Sequence, residues 1–208
     1  MVVGEKKAGT KLLAPARGAE KLSSIDEHVA VAVAGLTSDA DVLVEFARTV
    51  AQRHRFTYNE AQPVEQLVQL VADYKHSYTQ RGGLRPFGVS FLWAGWDCHR
   101  GWQLYLSDPS GNYARWKAAA IGANSTSAKS TLTEEYDDVC TMEQAQRLAL
   151  KTLMKAMDTT APKADQVEVV TMYRDETSGD IIQAVVDSAS VDAILAELTA
   201  EIAPAGDV

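Results

Sequence analysis

The stretch HVAVAVAG, residues 28–35, constrains this chain more than any other. Val29, Val31 and Val33 point to one side of a strand, and Ala30, Ala32 and Ala34 to the other. Both faces are apolar, so the strand needs a layer on each side. The segment that follows, GLTSDADVLVEFARTVAQRHR, is helical by spacing: Leu43, Phe46, Ala47 and Val50 share one face. Ser38 is placed to cap it, with Asp39 and Asp41 in the first turn and Arg53, His54 and Arg55 at the cationic end near residue 54. Pro63 opens a second helix, whose stripe is Val64, Leu67, Val68, Val71, Tyr74 and Tyr78, and Gly82 and Gly83 are expected to stop it. A strand apolar on both faces followed by a helix pair predicts an αα-hairpin lying on a sheet.

The pattern then turns strand-like. VSFLWAGWD, GWQLYLSD and YARWKAAAIG read as three antiparallel strands joined by tight turns, the second turn carrying Asp108-Pro109-Ser110-Gly111. Two helices follow, Ser125–Glu135 and Thr141–Met157. Thr141 and Gln144 form a capping box on the second, and Met142, Ala145, Ala149, Leu153 and Ala156 are its expected buried face. Residues 166–174 and 180–186 read as a hairpin, residues 191–198 as a short helix, and residues 199–208 as a loose tail. Helices arrive in pairs between runs of antiparallel strand, which excludes strict βαβ alternation. The expected fold class is α+β in a single domain, residues 1–208, with two antiparallel sheets packed together and helices outside each.

At 208 residues the chain has enough length to bury a sizeable core without disulfides or metal. The net charge of −8, with 20 basic residues scattered along the chain, argues against a nucleic-acid surface. No run of apolar residues reaches the length of a membrane-spanning helix. The N-terminus MVVGEKKAGTK lacks the apolar core of a signal peptide, so Cys98 and Cys140 are expected free in a reducing compartment.

No constellation supports catalysis. His28, His54, His76 and His99 lack metal-ligand spacing, so no metal and no cofactor is expected. Arg81-Gly82-Gly83-Leu84-Arg85 runs from helix to strand, the reverse of a phosphate loop, and reads as a helix end feeding a strand. The serines and threonines of ANSTSAKST, beside Lys129, read as a helix cap. Cys140 precedes a helix N-terminus, but no base stands near it in sequence. Trp93, Trp96, Trp102 and Trp116 read as core and interface together. A well-cored chain without catalytic spacing fits an assembly subunit.

Several stretches together carry a family resemblance: AEKLSSID, VAVAVAGLTSDADVLVEF, the YTQ-GG-RP-GVS block, DPSGNYARWKAAAIG and TMEQAQRLALKTLMKAM. The chain resembles the proteasome α-type subunits of the 20S core particle, and most closely a third or fourth α paralogue. The resemblance implies a four-layer α-β-β-α sandwich of the N-terminal-nucleophile hydrolase type, lacking the first helix and strand. The chain is expected to be N-terminally shortened, starting at what matches the end of the family's second strand.

The resemblance also implies a non-catalytic member of the outer α ring, in cytoplasm and nucleus, serving ubiquitin-dependent protein degradation. Its expected partners are other α and β subunits and the C-termini of regulatory particles, with no nucleic acid and no membrane. Lys21 matches the lysine that pairs with a docking carboxylate, and Gly35 and Leu36 match the turn beside that pocket. Gly82, Gly83, Arg85, Pro86 and Gly88 form the diagnostic structural motif, in which Arg85 is expected to bond carbonyls or a carboxylate at the helix–strand corner. The alternative, an N-terminal-nucleophile amidohydrolase or threonine peptidase, requires Thr10 to be exposed as the first residue.

Overall fold

The computed structural model describes residues 1–6, 21–157 and 162–202. In chain order the elements are β1 (Val2–Glu5), β2 (Leu22–Asp26), β3 (Val29–Gly35), α1 (Thr37–Tyr58), α2 (Val64–Thr79), β4 (Val89–Asp97), β5 (Gly101–Ser107), β6 (Tyr113–Arg115), α3 (Ser125–Glu135), α4 (Met142–Met157), β7 (Val167–Arg174), β8 (Ile181–Val185) and α5 (Ser188–Ile202). The five α-helices and two antiparallel sheets among the described residues make an α+β protein. Thr10, required by the peptidase alternative, lies outside the described residues, as do residues 203–208 of the expected tail.

The chain divides into two compact units. One unit comprises Leu22–Gly122 and Met172–Gln183. It contains the five-stranded sheet, order β2-β3-β4-β5-β6, with α1 and α2 against one face. Val29 and Val31 of β3, Phe91 and Trp93 of β4 and Tyr105 of β5 meet Leu43, Ala47 and Val50 of α1 and Leu67, Val68 and Val71 of α2 in one buried cluster. Ala30 and Ala32 face the other way and are buried too. The register Val33↔Phe91↔Ser107↔Tyr113 runs one row across the sheet beneath α2.

The other unit comprises Met1–Lys21, Ala123–Thr171 and Ala184–Val208. Its core gathers Leu150 and Met154 of α4, Val167 and Val169 of β7, and Val191, Leu195 and Leu198 of α5. The second sheet has the order β1-β7-β8. The β7–β8 hairpin has its base in this unit and its tip in the first.

Several sequence expectations need correction. Periodicity does not single out β1 or β2, because VVGE is short and LSSID is interrupted by serines and by a register shift between Ser24 and Asp26; the family resemblance alone marks a strand at the start of the sequence. The third meander strand stops at Arg115, with a last bond from Trp116 N to Leu104 O. It is the sheet edge, and the alanines that follow give no cross-strand packing to hold them there.

Helix α1 begins one residue before Ser38, its cap residue is Leu36, and it runs on to Tyr58. There Asn59, at φ 56°, ends it with its N–H on Arg55 O. Helix α2 ends at Thr79, short of Gly82 and Gly83. The capping box of α4 is present, Thr141 N donating to Gln144 Oε1 and Gln144 N to Thr141 Oγ1. Its buried residues, however, are Leu150, Thr152 and Met154, and Met142 is exposed. The helix is covered by α3, β1 and α5 from several sides, so a single stripe does not describe it. Helix α5 runs from Ser188 to Ile202, so residues 199–202 belong to a helix. Ala and Glu are good helix formers, and Pro204 is the first breaker beyond.

Candidate functional site

The polar corner at the start of α1 is built from two segments far apart in sequence. Leu36 N donates to Gly88 O at 2.9 Å, joining the end of β3 to the entry of β4. Gly35 sits at φ +129°, and a Cβ there would overlap the Gly88 carbonyl oxygen. A Cβ at Gly88 would in turn meet the Leu36 side chain at 2.9 Å. Gly35 is therefore required by the close approach of two backbones, whereas a side chain at Gly88 would displace the exposed Leu36 side chain.

Asp39 locks this corner. Its carboxylate accepts from Gly88 N at 2.9 Å, Arg85 Nη1 at 2.6 Å and Arg85 Nη2 at 2.8 Å. Arg85 Nη1 also donates to Pro86 O at 3.1 Å. The fork of Arg85 suits a carboxylate bidentately. The guanidinium and the Gly88 amide hold the Asp39 carboxyl down to about 2, and the Asp39 carboxylate in turn pushes the Arg85 guanidinium up. Gly83 stands at φ +81° in the turn leading to Arg85, whereas Gly82 has neither a positive φ nor a close neighbour. An open cavity of about 310 Å³ is lined by Asp39, Tyr78, Gly83, Leu84, Arg85 and Phe87. Leu36, 55% exposed, caps the same corner.

Lys21 belongs to the other unit. It directly precedes β2 and is half-buried, and its backbone N–H donates to Glu168 Oε2 at 3.2 Å. Cys98 and Cys140 are both free and exposed. The tryptophans divide: Trp93 is buried, Trp96 half-buried beneath the Arg174 guanidinium, and Trp102 and Trp116 exposed.

Three buried polar nodes were missed by sequence reasoning. Asp97 accepts from Val64 N, His99 N, Arg100 N and Gln103 Nε2, so a carboxylate at the end of β4 caps the N-terminus of α2. These donors outweigh burial and draw its carboxyl below the usual range. Asp26 accepts at both carboxylate oxygens from Arg55 Nη2, and the nearby His28 Nε2 donates to Gln62 O at 2.7 Å. Lys75 is fully buried under α2. Only the last had a readable signal, a lysine standing in the apolar stripe Leu67, Val71, Lys75.

Fold and corner define a helix-backed α+β protein, and the comparisons with known proteins give its family. The proteasome subunit family model matches residues 1–172. The proteasome subunit alpha type-4-A of Arabidopsis thaliana is 56% identical over 173 residues, which is 83% of this chain and 69% of that protein. An alpha type-4-1 subunit of Oryza sativa subsp. indica is 52% identical over 197 residues, 95% of this chain and 79% of its own. An alpha type-4 subunit of Spinacia oleracea is 55% identical over 173 residues. The chain belongs to the proteasome subunit family. It is of the alpha type, the non-catalytic kind of subunit in the peptidase complex.

Proposed function

We propose that this chain serves as a structural subunit of the outer α ring of the 20S proteasome. There it packs against other α and β subunits, in cytoplasm and nucleus, in the service of ubiquitin-dependent protein degradation. The observation that carries the reading is identity above one half with alpha type-4 subunits over most of the chain. The reading includes the four-layer α-β-β-α sandwich as a single domain. By the family resemblance it also assigns Lys21 to receiving the carboxylate of a regulatory-particle C-terminus, and Gly35 and Leu36 to the same docking role. A flexible ammonium suits a carboxylate, and the exposed Leu36 offers apolar surface.

Co-expression with partner α subunits, followed by native mass spectrometry, tests the assembly. Recovery of this chain in a ring-sized complex is expected, and a chain that stays monomeric beside assembled partners refutes the reading. For the pocket, Lys21→Ala is expected to reduce binding of a regulatory-particle C-terminal peptide at least tenfold while leaving assembly intact. Unchanged peptide binding would remove Lys21 from the pocket.

A further inference from the structure

Lys75 lies wholly inside the unit that carries α1 and α2, at 0% exposure. It projects from α2 onto the sheet row that holds Phe91 and Ser107. Its Nζ is 3.4 Å from Ser107 Oγ and 5.3 Å from the centre of the Phe91 ring. Among the described residues no carboxylate stands within ion-pair distance of it. The charged group whose field reaches it is Asp108, just past β5, and that carboxylate already accepts from Ser110 N, Ser110 Oγ and Asn112 N. His76, next to Lys75 on α2, turns instead to Ser110 O and Gln80. On the sheet side β4 presents Phe91 and Trp93, and β5 presents Ser107.

Hydrogen-bond direction sharpens the picture. The indole Nε1–H of Trp93 can only donate, and it donates to Ser107 Oγ at 3.1 Å. Ser107, fully buried, is then left with one hydroxyl proton to place, and Lys75 Nζ is its other neighbour. An ammonium has no lone pair to receive that proton. It donates to the second lone pair of Ser107 Oγ and faces the Phe91 ring, which leaves the buried hydroxyl proton without an acceptor. A neutral amine receives the hydroxyl proton and completes the chain Trp93 to Ser107 to Lys75.

We propose that Lys75 and Ser107 form a proton-linked latch between α2 and the sheet: the neutral amine closes it by accepting from Ser107, and the buried ammonium loosens it. Burial, only partly offset by Asp108, pushes the Lys75 ammonium down to about 8, which supports this reading. The sign follows from linkage. The folded value lies below the unfolded one, so the folded state carries a penalty below pH 8, and the penalty is relieved as pH rises from about 8 toward 10.5.

The test is the melting temperature of the full chain from pH 6.5 to 10, for the unaltered protein and for Lys75→Met. The variant is expected to be the more stable at pH 7. Its advantage should shrink by roughly 5–10 °C between pH 7 and pH 10. A difference that stays constant with pH overturns the latch. Should the variant not fold, the Trp93 indole N–H resonance of the unaltered protein decides. It is expected to shift with a midpoint near pH 8, and a flat response from pH 6.5 to 10 overturns the proposal.

Discussion

Asp39 joins the start of α1 to the entry of β4 through one side chain. It sits in the first turn of α1, where a carboxylate suits the helix dipole, yet it spends its oxygens on Arg85 and the Gly88 amide. Its depressed folded value means that its stabilisation is fully present above about pH 4. It is lost as pH falls through about 2. Melting temperatures between pH 2 and 5 are expected to fall more steeply for the unaltered chain than for Asp39→Asn; parallel curves would contradict this. Arg85→Ala is expected to lower the melting temperature at pH 7, since it leaves the buried Asp39 carboxylate with fewer donors. An unchanged melting temperature would remove Arg85 from the fold's support. A carboxylate or carbonyl partner for Arg85 follows from its place beside Pro86. That the carboxylate would be Asp39, 46 residues earlier, is not in the local sequence.

At the scale of elements, the helix pair is tied down by groups outside it. Helix α2 begins after Pro63 with no side-chain cap of its own, and Asp97 from the end of β4 supplies one. Asp97→Ala would leave buried donors unpaired and is expected to cost roughly 2–4 kcal/mol in chemical denaturation. A cost below about 0.5 kcal/mol would show that water replaces the carboxylate. Gly35→Ala is expected to cost at least about 2 kcal/mol, because the backbone of Gly88 occupies the space and φ is strongly positive. The exposed capping box of α4 is worth less: Thr141→Ala should cost about 1 kcal/mol. The helices and most meander strands were legible because their periodicity is local. The buried face of α4 was not, because several elements cover it and burial there is set by neighbours rather than by spacing.

On the scale of the whole molecule, the expected function is assembly. The purified chain is expected not to hydrolyse fluorogenic peptides, as its non-catalytic class requires. Turnover above a buffer blank that persists after Thr10→Ala would point to a contaminant, and turnover abolished by it would contradict the classification. The candidate pocket was legible only as matched positions. Lys21, Gly35 and Leu36 are each ordinary residues alone, and the structure gives Gly35 a requirement of its own in the backbone contact with Gly88.

The sequence by itself determined the α+β class, the helix pair, the meander and the family. Alternation, helical spacing, capping residues and turn residues are written over a few neighbouring positions. Tertiary structure alone decided where the polar groups go. Asp39 meets Arg85 and Gly88, Asp97 meets Val64, and Lys75 meets Ser107, each across tens of residues. A buried charge or donor must find its complement wherever the fold brings one within hydrogen-bond reach, and that distance is set by packing, not by separation along the chain.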